Sequence, residues 1–306
     1  MDSKMCKIIK KPSLLFLTLG HRGFFNWMDD ETYLKIAYRI KMGKKLNLKA
    51  PETFNEKLQW LKLHDRNPLY TNLVDKYEAK KYVAEKIGEQ YIIPTLGVWN
   101  HFDEIDFDTL PNQFVLKCTH DSGGLVIVKD KEKLDKKAAK HKIESCLKHN
   151  FFWGQREWPY KNIRPRIIAE QYLEDDLISE ELIDYKLMCF NGKVKCSFTC
   201  TNRYSKDGLR VTFYDYNWNK MPFERKYPAD EVGVPKPRTY KKMVQFAEKL
   251  SEELTFSRID FYELGDKLYF GEITFYPGSG FEQFKPIEWD YKLGSMLILP
   301  SQRISS

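Results

Sequence analysis

The sequence predicts an α+β protein with antiparallel sheets, on three observations. Helical periodicity dominates up to about residue 90, with few strand signals. Two β-rich segments then fold back on themselves around Asn191-Gly192 and Gly265-Asp266. Before the first of them, short apolar strands alternate with single helices, and neither GxGxxG nor GxxxxGK[ST] occurs, so a doubly wound parallel nucleotide fold has no support.

The elements follow in order. Asp29 and Asp30, then Tyr33, Leu34, Ile36, Ala37 and Ile40, predict a helix over 29–43 with an acidic start that suits the helix dipole. Thr53 with Glu56 three residues on is a capping-box pattern and opens a second helix. A third spans 75–87 and stops at Gly88. Residues 91–94 and 113–118 read as strands, the lysine-rich stretch 129–149 as a helix, and 166–173 as a strand. A hairpin covers 183–201, a helix 238–254, and a second hairpin 257–274.

Composition narrows the function classes. With 42% hydrophobic and 30% charged residues, and only 16 Gly and 14 Pro, the chain is neither disordered nor fibrous. A net charge of +7 suits an anionic substrate and is no nucleic-acid signature. No apolar run reaches the ~18 residues of a membrane helix. The basic start and the run 14–19 resemble a signal peptide only faintly, because no small-residue cleavage site follows. The six cysteines form no CxxC and no zinc spacing, so they read as free thiols of a cytoplasmic protein.

The candidate chemistry gathers in four places. A three-residue loop in the second hairpin sets Asp260 opposite Glu272 and Arg258 opposite Thr274. Two neighbouring carboxylates repel, so one is protonated, a cation sits between them, or both are solvated beside Arg258 and Lys267. Hard oxygen donors of this kind suit Mg²⁺. Lys117 ends an apolar strand and leads into Thr119, His120, Asp121, Ser122, Gly123 and Gly124, either an anion-binding nest or a plain turn. Asp184 and Lys186 share one strand face. Glu170, Gln171, Tyr172 and Leu173 lead into the acidic Glu174, Asp175 and Asp176.

In this order the segments FNEKLQWLKLHDRNPLYTNLVDKYEAKKYV, FVLKCTHDSGG, IIAEQYLED, DYKLMCFNGKVK and SRIDFYELGDKLYFGEITFYPGSG resemble the ATP-grasp superfamily. More narrowly they resemble its TupA-like branch, named for teichuronopeptide biosynthesis and found in bacterial capsule and surface-polymer gene clusters. They cover most of residues 51–285. The resemblance implies a two-lobed nucleotide cradle. A helical N-terminal part and pre-cradle segment would take 1–112, a small lobe with a lid loop 113–176, and a large lobe with the metal site 177–306. It implies that Lys117 touches the α/β-phosphates, that 120–124 closes over them, and that Glu170, Gln171, Tyr172 and Leu173 border adenine. One of Glu174, Asp175 or Asp176 would hold the ribose. Lys186, beside Asp184, would approach the terminal phosphates, Asp260 and Glu272 would carry Mg²⁺, and Arg258 would steady the transferred phosphoryl group. Thr274, whose hydroxyl is a weaker metal ligand than an amide carbonyl, stands where the superfamily commonly has Asn. The loop 276–280 would lie beside the phosphates or the acceptor.

The implied reaction is ATP-dependent carboxylate–amine ligation through an acyl phosphate. Its partners would be a carboxylate-bearing sugar or polymer, such as a uronic acid, and an amino acid or other amine. Two other readings compete. A glycosyltransferase would use Asp106 and Asp108 as an Asp-x-Asp motif. A sugar kinase would use the same nucleotide cradle on a hydroxyl. The lysines of 129–142 offer an anionic-polymer surface, but Asp130, Glu132 and Asp135 interrupt them.

Overall fold

The computed structural model describes residues 12–121, 123–173, 182–203, 205 and 208–300. Its N-terminal part is helical: α1 (Pro12–His21), α2 (Asp30–Met42), α3 (Phe54–His64), α4 (Leu69–Val74) and α5 (Glu78–Ile87). Asp29 caps α2 by accepting from Thr32 N, and Thr53 and Glu56 complete the capping box of α3. Gly88 ends α5 as expected. α4 had no sequence signal of its own, and α5 starts three residues later than the periodicity implied, because Asp75 accepts from the backbone N–H groups of Tyr77 and Glu78.

The smaller sheet is fully antiparallel, in the order β1 (Thr95–Trp99), β4 (Ile167–Gln171), β2 (Phe114–Cys118), β3 (Leu125–Val128). The first strand lies at 95–99 rather than 91–94, where a 3₁₀ turn over Glu89–Tyr91 precedes it. β1 comes from the segment expected to precede the cradle, so this sheet begins before residue 113. Helix α6 (Lys136–Leu147) packs on the sheet through Ala139 and Ile143. The lysine-rich stretch makes a 3₁₀ turn over Lys131–Lys133 and is α-helical only from Lys136, where Asp135 caps by accepting from Ala138 N. A short α7 (Phe152–Gln155) follows.

The larger sheet has the order β10 (Lys267–Thr274), β9 (Phe256–Leu264), β5 (Asp184–Phe190), β6 (Lys193–Thr201), β7 (Arg210–Asp215), again antiparallel throughout. Asn191 and Gly192 both take positive φ, which closes the β5–β6 hairpin. Helix α8 (Tyr240–Ser251) covers one face, burying Met243, Ala247 and Leu250. From the N-terminal part, Phe54 of α3 packs among Phe190, Phe256 and Phe284. The short strands β8 (Glu224–Arg225) and β11 (Phe284–Lys285) pair beyond the sheet, and α9 (Glu288–Met296) packs against α3.

The second hairpin departs from its expected loop. Lys267 pairs with Leu264, so the turn has two residues, Gly265 and Asp266. The register then shifts by one between Phe270 and Ile273, which restores Arg258 opposite Thr274. Gly271 sits in this shift. A Cβ there would lie 3.1 Å from Tyr262 and 3.2 Å from the carbonyl of Asp260, so a side chain would crowd the irregularity.

Candidate active site

Strand alternation sorts the central strands β10, β9 and β5 into two faces. Leu187, Ile259, Phe261 and Ile273 point into the core. The opposite face carries Asp184 and Lys186 on β5, Arg258, Asp260 and Tyr262 on β9, and Glu272 and Thr274 on β10. Lys186 stands directly opposite Asp260, Asp184 opposite Tyr262, and Arg258 opposite Thr274.

These side chains form one ion network. Arg258 binds Asp260 through Nε–Oδ1 and Nη2–Oδ2, both at 2.7 Å, and Nη2 also reaches Glu272 Oε1 at 2.6 Å. Lys186 donates to Asp260 and lies 3.5 Å from Asp184, which Arg203 also engages. A cation does sit between the two carboxylates, and in the protein alone it is the guanidinium of Arg258. Burial pushes the Glu272 carboxyl up, but Arg258, Lys186 and Lys76 outweigh it and hold it down at about 2. Asp184 behaves alike: Lys186 and Arg203 overcome burial and bring it to about 2. Burial pulls Lys186 down, and Asp184 with Asp260 more than restores it, so it stays charged.

A cavity of about 860 Å³ opens over this network. Arg258, Glu272 and Thr274 line it from the sheet, Lys76 from the helical part, Asp121 from the smaller lobe, and Tyr276, Gly278 and Ser279 from the loop after β10. Lys76 Nζ donates to the Asp121 carbonyl, tying the lid segment to the helical part. The loop is held from below by α3. Gln59 donates to the carbonyls of Ser279 and Gly280 at 2.9 and 2.8 Å, and the buried Lys62 donates to Ser279 O at 2.8 Å and Gln155 O at 2.9 Å. Ser279 has φ 56, strained for a side-chain-bearing residue, and its hydroxyl donates to the buried Glu157. Burial pushes Lys62 down and Glu157 up. Gln59, Lys62 and Glu157 carried no sequence signal as site residues. Their polarity at positions that fold into the interior was the available clue.

A second cluster lies on the smaller sheet. Lys117 Nζ meets Glu170 Oε2 at 2.6 Å, and Lys80 Nζ meets Oε1 at 2.5 Å. Burial raises the Glu170 carboxyl, and the two lysines together bring it below its usual value. Lys80, from α5, was not singled out in the sequence. It also donates to Ile93 O and Thr95 Oγ1, both at 2.8 Å.

The 120–124 segment is tightly folded at its described ends. His120 turns away from the cavity, with Nε2 3.2 and 3.1 Å from the carbonyls of Cys146 and His149. Gly124 N donates to Asp121 Oδ1 at 3.0 Å. A Cβ at Gly124 would lie 2.5 Å from Cys118 Sγ, whereas one at Gly123 meets nothing closer than 3.6 Å. The thiols of Cys118 and Cys146 and the Asp121 carboxylate lie within 4.8 Å of one another, a grouping no sequence spacing announced. Burial pushes the Cys146 thiol up to about 11, so it is protonated at neutral pH.

Gln171 and Tyr172 lie at the end of β4, Gln171 exposed and the Tyr172 ring 5.8 Å from Lys129 Nζ, with Leu173 half-buried beside them. Ser122, Glu174, Asp175 and Asp176 lie outside the described residues. Asp106 is occupied in a local turn, accepting from Asp108 N at 3.0 Å. Lys140 and Lys133 are paired with Asp103 and Asp130. No helix among the described residues is long and apolar enough to cross a membrane.

A family model described as TupA-like ATPgrasp matches residues 56–298. The chain belongs to the TupA-like ATP-grasp family. No curated protein matches it. Similar solved structures include the D-alanine–D-alanine ligase of Bacillus anthracis complexed with ATP, at 15% identity, 76% of this chain, 66% of that chain and a TM-score of 0.42. The L-amino acid ligase of Bacillus licheniformis shares 14% identity over 83% of this chain and 57% of its own, with a TM-score of 0.43. The ATP-grasp ligase PsnB complexed with a precursor variant, Mg and ADP shares 10% identity over 72% and 57%, with a TM-score of 0.38. The chain spans less than two thirds of the length of these structures, and the family rests on the match to residues 56–298.

For a TupA-like ATP-grasp protein, the donor set on β9 and β10 fits Mg²⁺ unevenly. Glu272 is a hard oxygen donor that lines the cavity, with 39% of its side chain exposed, and the Thr274 hydroxyl lies 3.3 Å from it. Asp260 is 1% exposed and already engaged by Lys186 and Arg258, so binding metal there requires one of those cations to move aside.

Proposed function

We propose that this chain is an ATP-dependent ligase that joins a carboxylate to an amine. The observation that carries the reading is Arg258, which bridges Asp260 and Glu272 on the floor of the cavity into which Lys76 and Asp121 project. The family match supports the nucleotide as ATP.

In the proposed reaction a substrate carboxylate attacks the γ-phosphorus of ATP. The bond to the β-phosphate oxygen breaks, giving ADP and an acyl phosphate. The amine nitrogen then attacks the acyl carbon, phosphate leaves, and the amine loses its proton to solvent. Arg258 and Lys186 would offset the charge that develops on the transferred group, from fixed positions that need no reorganisation. Glu272, with Thr274, would hold Mg²⁺, which when bound neutralises phosphate charge. Lys117 and Lys80 would face the inner phosphates, with Glu170 fixing them, and Gln171, Tyr172 and Leu173 would border the base. The lid would approach through Asp121, Gly123 and Gly124. The carboxylate is proposed as a uronic acid of a capsule or surface polymer and the amine as an amino acid, the setting of the TupA-like branch, in the cytoplasm.

The test is a screen of ATP-dependent phosphate release across uronic acids and amino acids, with the products identified by mass. ADP, free phosphate and an amide are expected. A phosphorylated sugar would instead make the protein a kinase, and sugar transfer from a UDP-sugar without ATP would overturn the ligase reading.

A further inference from the structure

We infer that the cavity takes a substrate carrying a second anionic group, a carboxylate that does not react, and that Lys41 holds it with help from Lys226 and Lys285. The inference rests on the ligase reading of the cavity. It assigns a role to α2, which lies outside the 56–298 family match.

The cavity has two sets of cations. Arg258 and Lys76 belong to the reacting end and are committed, Arg258 to Asp260 and Glu272 and Lys76 to the Asp121 carbonyl. The other set comes from different elements: Lys41 from α2, Lys226 just after β8, and Lys285 on β11. Among the described residues, Lys41 forms no ion pair. Its Nζ donates to the neutral amide oxygen of Gln155 at 2.8 Å and lies 4.4 Å from the centre of the Phe281 ring. A half-buried ammonium whose direct partners are an amide and a ring, with Glu157 and Glu282 acting on it only at longer range, is costly unless an anion joins it. The neighbouring acids do not fill that place. Glu282 is shared between Arg225 and Lys226, both at 3.1 Å, and Glu157 accepts from Ser279 next to the buried Lys62.

The reaction itself needs one carboxylate, and that one becomes the acyl phosphate beside Arg258. Lys41 and Lys285, beside a Lys226 already shared with Glu282, have no use in that step, but they suit a carboxylate elsewhere on the substrate. Two sources supply such a group: the next sugar of a polyuronate, or the α-carboxylate of an amino acid nucleophile. Burial that lowers Lys41 to about 8 fits a site whose amine charges fully when an anion arrives.

The experiment is calorimetric titration of the full chain, preloaded with Mg·AMP-PNP, with galacturonate, digalacturonate, L-alanine and L-alaninamide. Digalacturonate binding at least tenfold tighter than galacturonate places the second carboxylate on the polymer. L-alanine binding at least tenfold tighter than its amide places it on the nucleophile. In either case Lys41→Gln, which keeps a hydrogen-bonding side chain beside Gln155, should remove the preference, and Lys41→Arg should restore it, with AMP-PNP affinity unchanged in both. Equal binding within both pairs, or a preference that survives Lys41→Gln, overturns the inference. A loss of AMP-PNP affinity in Lys41→Gln overturns it too and moves Lys41 to the nucleotide. Failure of the unmodified protein to bind Mg·AMP-PNP would instead overturn the ligase reading.

Discussion

Lys186 and Asp260 face each other across β5 and β9, both buried, and Asp260 holds Arg258 on its remaining edge. Removing one side of such a pair strands a charge in the interior. Asp260→Asn should therefore lose about 3–5 kcal/mol of stability as well as activity. Urea unfolding would read the loss. The double variant Lys186→Met/Asp260→Leu should recover much of it while remaining inactive. A fully stable Asp260→Asn would mean that Lys186 and Arg258 find other partners.

Glu272 is the cleaner probe of the metal, because its side chain is open to the cavity. Glu272→Gln should stay folded and lose the rise in Tm that Mg·AMP-PNP gives the unmodified protein. If the rise persists, Glu272 is no metal ligand.

Acid should undo the network in a defined window. Asp184 is depressed from 3.8 to about 2 in the folded chain. A carboxyl lowered on folding adds stability above its unfolded pKa, and that stability is lost as pH falls through the folded value. The contribution, about 2 kcal/mol, should fade between about pH 4 and about pH 2. Unfolding midpoints measured against pH should flatten there in Asp184→Asn. An unchanged profile would show that Arg203 and Lys186 do not act on this group.

Lys62 ties the loop after β10 to the end of α7, donating to Ser279 O in the loop and Gln155 O in the helix. Lys62→Met takes that donor from both carbonyls, of which Ser279 O keeps Gln59, and should cost about 1–3 kcal/mol. Its further effect should appear in KM for the carboxylate substrate more than in KM for ATP, since the residue supports the wall that Ser279 and Gly278 form. Equal changes in both constants would point to general loosening.

Gly124→Ala should disturb the lid, because the added carbon would fall 2.5 Å from Cys118 Sγ, inside a buried contact. Gly123→Ala, with open space around it, should be milder. Hydrogen exchange of β2 and β3 would rank the two, and the reverse order would place the tight contact elsewhere.

What could be read in the sequence was what neighbours in the chain decide. Thr53 and Glu56 announced a cap, and Asn191-Gly192 announced a turn. The parity of Arg258, Asp260, Glu272 and Thr274 announced a shared face. The turn length was not legible, because Gly265-Asp266 suits either two or three residues, and the shift at Gly271 depends on how Tyr262 packs. Lys80 reaches Glu170 from an element 90 positions earlier, and Lys41 reaches Gln155 across 114 positions. Cys146 meets Cys118 only because α6 folds back on its sheet. Such encounters are set by how the lobes dock, and no local pattern encodes them.

The cavity's lining runs from Leu14 to Lys285. No short fragment of the chain holds it, and on the ribosome it cannot close until β11 has emerged and paired with β8. A ligand that fits this cavity therefore has nothing to grip in a half-made chain. Its full set of contacts exists only in a chain made and folded as far as Lys285.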